Sequence, residues 1–359
     1  MGLQIAIAGA GLAGRLFAWA LNRAGHEVEV FEASPGPEPR FDGKGAAAFT
    51  AAGMLSPLAE LDRAEAEVAA LGWRSLQLWP QVCEALGVRS CLQTQGSLLL
   101  AHRQNLGAAE RVLARLGEHP ELGRAQALSE VELQALEPSL LRGPRAWLLP
   151  GEGLIHPPRL MAALHDQARG VRWHWQSPVE TVQAGELRLQ GGPRIAADWA
   201  IDCRGLGARP QVAGLRGVRG EVVHLSLNGH GLQRPLRLLH PRHRIYLVPR
   251  TPDTLVLGAS EIESEDRSPV SLQSAVELMA AAHSVMPTLA EARITRLDVN
   301  LRPALPDHRP LSLAEPGLLR LNGLYRHGWL LAPALVQQRL LHCGLASLAP
   351  QEESCNAPT

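Results

Sequence analysis

The opening strand and glycine-rich turn constrain this chain more than any other stretch. Residues 4–8 form a short apolar run, and Gly9, Gly11 and Gly14 follow it as G-x-G-x-x-G. From Ala13 onward Leu16, Phe17, Ala20, Leu21 and Ala24 recur at spacings of three and four, the period of a helix with one buried face. Gly25 stops that helix in the usual C-cap manner. A second apolar run, 28–31, delivers Glu32 to its carboxyl end. The three glycines serve different ends. Gly9 makes the tight turn, Gly11 lets a pyrophosphate approach the backbone, and Gly14 lets helix and strand pack closely. The free N–H groups at the helix start favour the phosphates, and Glu32 can accept hydrogen bonds from a ribose 2′-OH. The cradle is therefore Gly9, Ala10, Gly11, Leu12, Ala13 and Gly14 with Glu32. The acid disfavours a 2′-phosphate, which leaves FAD and NAD as the dinucleotides.

The 359 residues carry 35 basic and 35 acidic side chains, so net charge gives no reason to expect nucleic acid or an anionic membrane as a partner. Lys44 is the single lysine, so Schiff-base or lysine-base chemistry has almost nothing to draw on. The five cysteines (Cys83, Cys91, Cys203, Cys343, Cys355) include no C-x-x-C and read as reduced thiols, and no metal site is expected. No apolar run approaches the ~20 residues of a membrane span, and the apolar N-terminus is already used as a strand. A cytoplasmic protein without a signal peptide is expected.

Farther along, residues 43–56 form a small-residue segment that can lie against a flat ligand. Residues 61–86 suggest a helix with a kink or restart at Pro80, and residues 105–142 look mostly helical. Residues 199–207 carry Gly205 and Gly207 but have Pro210 where a third fingerprint glycine belongs. They read as a strand returning to the first sheet, with its glycines near the cofactor. Residues 221–227, 245–250 and 255–260 form an antiparallel meander in which Tyr246, Val248 and Arg250 share one face. Pro333 suits the first turn of a final helix. Residues 350–359 read as a disordered tail, and His240, His243 and His327 as solvated.

With these pieces in order, the chain resembles the D-amino-acid-oxidase superfamily of FAD enzymes, and most closely its glycine oxidase branch. Besides the fingerprint, four sets of residues carry the likeness: 50–55, 151–153 with 158–160, 246–250 with 258–259, and 301–303 with 325–333. The resemblance implies an α/β fold in which an interleaved Rossmann-like FAD-binding domain (1–85, 145–215, 300–348) meets an antiparallel-sheet substrate domain with helices (86–144, 216–299), followed by a flexible tail at 349–359. It implies Arg302 as the carboxylate clamp, Tyr246 beside it, Met54 next to the flavin, and Arg326 on the active-site loop. It also implies cofactor contacts from Thr50, Ala51, Ala52, Gly53, Met54, Val179, Gly205, Arg302, Arg326, His327, Gly328, Trp329 and Leu330. The helix at Pro333 would aim its N-terminus at the flavin N1–C2=O edge. Cys343 lies too far along the chain for a covalent link, so non-covalent FAD is expected.

Phe49 and Thr50 stand where relatives usually carry a serine, Leu324 replaces a polar residue and His327 an amide. These departures leave the fold intact and bear on whether glycine itself is the substrate. The expected reaction is oxidation of a small amino acid or secondary amine to the imine, with oxygen reoxidising the flavin to give hydrogen peroxide. The alternatives are a dehydrogenase using another acceptor, or a maturation or partner subunit acting on a macromolecule-attached amine. The expected partners are a small-molecule amine and oxygen, with homo-oligomerisation left open. The entrance is expected from loops at 100–145 and 228–243.

Overall fold

Alternating apolar residues on the first strand point to two different layers, and this alternation sets the architecture. The computed structural model describes residues 2–209, 211–240 and 244–349. Strand Gln4–Ala8 lies inside a six-stranded sheet, flanked in parallel by Glu27–Phe31 and Trp199–Asp202. Leu318–Asn322 and Arg172–His174 extend the sheet in parallel, and Leu311–Glu315 closes one edge antiparallel. Ile5 and Ile7 face a core built with helices Leu12–Arg23, Pro157–Asp166 and Gly328–His342. Ala6 and Ala8 face the opposite way, against Val182 and Leu187 of a three-stranded antiparallel sheet. Both faces are therefore covered, as a parallel sheet requires.

The second layer is an eight-stranded mixed sheet ordered 293–304, 216–226, 254–258, 244–251, 236–239, 97–101, 145–149, 126–128. Helix Leu272–His283 packs on one face, over Val223, Leu225, Leu247 and Leu257. The opposite face looks across a cleft toward the carboxyl ends of the parallel strands. Strand Arg293–Ala304 pairs along its length with Arg216–Ser226, so residues 300–304 are hydrogen-bonded into this sheet, as is Arg145–Leu149. The boundary expected at 300 therefore cuts a strand of the eight-stranded sheet, and the one expected at 145 falls at the start of another of its strands.

Several local expectations change. The last helix begins at Gly328, five residues before Pro333, which sits inside it. A proline there leaves the carbonyl four residues back without its N–H partner, and the Trp79 indole supplies the missing donor at 3.1 Å from the Trp329 carbonyl. Helix Ala66–Ala85 continues through Pro80, and strand Gln126–Leu128 interrupts the helical stretch expected over 105–142. Cys343 is the C-cap of the last helix. Cys83, Cys91 and Cys203 are buried free thiols. His243, Cys355 and the tail at 350–359 fall outside the described residues. No helix among the described residues is long and apolar enough to cross a membrane.

Candidate active site

The glycine-rich turn opens onto a cleft of about 940 Å³. Helix Leu12–Arg23 starts at Gly11 with no side-chain cap, so its first-turn N–H groups are left for a ligand. A Cβ added to Gly11 would meet only Ala46, at 3.9 Å, whereas one added to Gly14 would lie 1.9 Å from the Gly9 carbonyl. Space at Gly11 is thus kept on the cleft side, and space at Gly14 is consumed by packing. Glu32 accepts from the Ala10 N–H at 2.6 Å and the Ser34 N–H at 2.9 Å, which fixes its carboxylate at the cleft wall. This cradle fits the pyrophosphate and ribose of FAD. The residues that would hold them are Gly9–Ala13 and Glu32.

The other end of the cleft is written on one face of the eight-stranded sheet. Arg237, Tyr246, Gly258 and Val222 stand in register across four adjacent strands. Arg302 pairs with Val218 and Asn300 with Gly220, which puts them on the same face. Two glycines make room for the large side chains. A Cβ on Gly220 would lie 2.3 Å from the Arg302 guanidinium carbon, and one on Gly258 would lie 2.5 Å from the Tyr246 hydroxyl. Arg302 donates to the Ser260 carbonyl from both terminal nitrogens at 3.1 Å and forms no ion pair among the described residues. Burial pushes the Tyr246 hydroxyl pKa up, against the opposing pull of Arg302, Arg250 and Arg237. Asn300 donates to the Thr50 hydroxyl at 3.0 Å and the Gly45 carbonyl at 3.2 Å, which ties the sheet to the small-residue segment.

Between these ends sits a charged hub. Glu60 lies 2.5 Å from Arg237, and its other oxygen lies 2.9 Å from both Arg326 and His327. Burial alone would raise this carboxyl, but Arg237, Arg326 and His327 together hold it well below the usual range. Arg326 also reaches Glu261 at 3.3 Å, as does Arg63. His327 is buried, contrary to the solvated histidine expected, because Glu60 draws it inward.

The hub rests on a second buried acid. Glu152 accepts from the backbone N–H groups of Leu58 (2.6 Å) and Ala59 (3.1 Å), and from the Ser97 hydroxyl. Burial raises its pKa from 4.5 to about 7, against these hydrogen bonds and Arg237. The folded state therefore holds the proton that the unfolded chain releases near pH 4.5. This contribution to stability is complete below that pH and is lost as pH rises through about 7. Glu152→Gln keeps an acceptor for both N–H groups and removes the titration. Its unfolding free energy should lose that fall between pH 5 and 8, and above pH 7 it should exceed the parent by up to about 3 kcal/mol. Denaturant titrations at the two pH values check this. A parent slope that persists unchanged in the variant would rule Glu152 out.

Of the residues singled out from sequence, Gly9–Ala13, Glu32, Thr50–Met54, Gly205, Tyr246, Arg302, Arg326, Gly328 and Trp329 line this one cleft. Gly14, Val179, His327 and Leu330 do not. Val179 packs under the six-stranded sheet, and its carbonyl accepts from Arg204 at 3.0 Å; Leu330 lies in the core. The residues missed are Glu60, Glu152, Arg237, Glu261 and Asn300. Arg237 sits on strand Leu236–Leu239, whose four residues, Leu-Arg-Leu-Leu, are too few to show a strand period. Glu261, Ile262, Arg267 and Gln273 line the cleft, no residue of 100–145 does, and of the described residues of 228–243 only Arg237 does.

A family model described as FAD dependent oxidoreductase (DAO) matches residues 4–337. The chain is 36% identical over 343 residues to a Rhizobium etli protein named for thiamine biosynthesis, the oxidoreductase ThiO, covering 94% of this chain and 97% of that one. It is 28% identical over 361 residues to the tRNA 5-methylaminomethyl-2-thiouridine biosynthesis bifunctional protein MnmC of Azoarcus sp.; 96% of this chain there matches 53% of the relative. The crystal structure of glycine oxidase from Geobacillus kaustophilus superposes with a TM-score of 0.79 at 26% identity, over 96% of this chain and 94% of that one.

Proposed function

The chain belongs to the DAO family of FAD-dependent oxidoreductases, and from that premise we propose that it oxidises a small amino acid or secondary amine to the imine, with oxygen taking the electrons to give hydrogen peroxide. Bound FAD supplies the hydride acceptor, held without a covalent link, and the protein supplies orientation and charge. Arg302 is the observation that carries the reading. A guanidinium whose partners among the described residues are all carbonyls, on the cleft face beside Tyr246, is available for a planar carboxylate. In this reading Tyr246 hydrogen-bonds the same carboxylate. Met54 and the segment before it flank the flavin, and Arg326, fixed by Glu60 and Glu261, keeps its charge at the side of the cleft. The six-stranded part serves the cofactor and the eight-stranded part the substrate. The likeness to a glycine oxidase and to ThiO supports a glycine-like substrate.

Anaerobic mixing with glycine, sarcosine, D-alanine and D-proline is expected to bleach the flavin without any nicotinamide. Air should restore the colour and yield peroxide. Dye reduction without peroxide would assign a different acceptor. Bleaching by NADH alone would sink the amine-oxidising reading. Inertness toward every free amine, with reaction on a macromolecule-attached aminomethyl group, would favour the activity class named for the MnmC relative.

A further inference from the structure

Behind the cleft wall lies a guanidinium that the proposed reaction leaves unused. Arg250 projects from the same sheet face as Tyr246 and Val248, toward the back of residues 51–53. It donates to the Ile155 carbonyl at 2.9 Å, to the Ala51 carbonyl at 3.3 Å, and to the Ala52 carbonyl. The Gly53 carbonyl is turned the same way, accepting from the Ile155 N–H at 2.8 Å. Three consecutive carbonyls, of residues 51, 52 and 53, therefore face away from the cleft.

Peptide planarity then fixes the direction of the donors. In a trans peptide the N–H points opposite to the preceding carbonyl, and these peptides are trans. The N–H groups of Ala52, Gly53 and Met54 must then all point forward. Those of Ala52 and Gly53 have no acceptor among the described residues. Met54 falls in a non-hydrogen-bonded pair with Leu154, one step along from the bonded Gly53–Ile155 pair, so its N–H turns away from that strand as well. Residues 51–54 line the cleft.

The cation itself is also poorly compensated. Arg250 forms no ion pair among the described residues. Its outer edge reaches a groove of about 320 Å³ beside His156, His224 and Arg296, where Asp298 is already shared between His224 and Arg296. Burial lowers the Arg250 pKa to about 10, which still leaves it charged at neutral pH.

Resting on the FAD reading, we propose that Arg250 is a positioning residue for the bound flavin. From behind the wall it turns the N–H groups of Ala52 and Gly53 toward the flavin, the Ile155 N–H does the same for that of Met54, and the charge of Arg250 makes that flavin readier to accept negative charge. Only an arginine suits this role, since its planar fork spans several carbonyls while a lysine presents one compact head.

The test uses the FAD-loaded enzyme and sulfite, which adds to oxidised flavin to give an anionic adduct read by loss of the visible band. Arg250→Met is expected to bind sulfite at least about tenfold more weakly than the parent, at equal FAD occupancy. Its reduction potential should move in the same negative direction. Arg250→Lys keeps the charge without the fork and should fall between the two. A purely structural role would lower thermal stability and leave sulfite affinity unchanged, so an Arg250→Met enzyme within about twofold of the parent overturns the proposal. If Arg250→Met does not retain FAD, the lysine variant decides: weaker sulfite binding upholds the proposal and parental binding overturns it. A parent protein that holds no FAD would instead refute the functional reading on which this rests.

Discussion

Gly11→Val is expected to fold and melt like the flavin-free parent, yet to purify colourless and take up no FAD. The position does not need glycine for its backbone, which is extended at φ −71° and ψ −170°. Within the protein it does not need glycine for space either, because an added Cβ meets only Ala46 at 3.9 Å. The only tenant that a valine side chain would displace is the cofactor approaching the helix start. Gly14→Val should behave oppositely. Its Cβ would lie 1.9 Å from the Gly9 carbonyl, so the strand and helix must separate and the fold itself should fail. Gly9 is structural as well, with φ +100° and the Cys203 carbonyl 2.5 Å from its absent Cβ. The comparison has to be made on apo proteins, because bound FAD stabilises the parent by mass action. Circular dichroism melts with flavin absorbance would decide it. A yellow Gly11→Val protein would refute close cofactor approach at that turn, and an unfolded one would make Gly11 a packing residue like Gly14.

Arg302→Met should lower amino-acid turnover efficiency by at least tenfold and, if both bonds of a bidentate clamp are lost, by about a hundredfold or more. Each charge-assisted hydrogen bond is worth roughly 1.5–3 kcal/mol, and about 1.4 kcal/mol is a factor of ten. FAD content and melting temperature should hardly change, since Arg302 leans on the Ser260 carbonyl without closing an ion pair among the described residues. Amines lacking a carboxylate should lose far less, which separates lost recognition from general damage. Gly220→Ala supplies an independent route to the same site. Its methyl would occupy the place of the guanidinium, 2.3 Å from its carbon, and the flexible side chain should swing aside. Activity should then fall in the same substrate-selective way while Arg302 is still present. Parental kinetics for Arg302→Met would remove the residue from the site. Loss of flavin or of the fold would make it structural.

Much of the glycine-turn end of the cleft was legible because its signals are contiguous. Strand, three glycines, helix period and terminal acid lie within residues 4–32, and each is a local pattern with a local cause. Tyr246 and Arg302, which line the cleft, were singled out through motifs, and the strand that holds Tyr246 showed its period of two. The expected start of the last helix at Pro333 failed because the donor that lets proline sit inside it comes from Trp79, 250 positions away in sequence. His327 was misread as solvated for a similar reason: the carboxylate that buries it belongs to Glu60, 267 positions distant.

The sequence by itself determined the Rossmann-like opening, the β-rich runs near 221–227, 245–250 and 255–260 and the choice of FAD or NAD. It did not determine the pairing of those runs, in which 216–226 lies beside 254–258 and an unexpected strand at 236–239 lies beside 244–251. Backbone turns, caps and periodic faces depend on neighbours only a few residues apart. The tertiary structure alone decided which charges meet. It placed Glu60 among Arg237, Arg326 and His327, set Arg302 and Tyr246 over Gly220 and Gly258, and turned the carbonyls of Ala51 and Ala52 toward Arg250. These arrangements join strands and loops that are remote in the chain. Their energies depend on burial and on distances of a few ångströms, which no local pattern encodes.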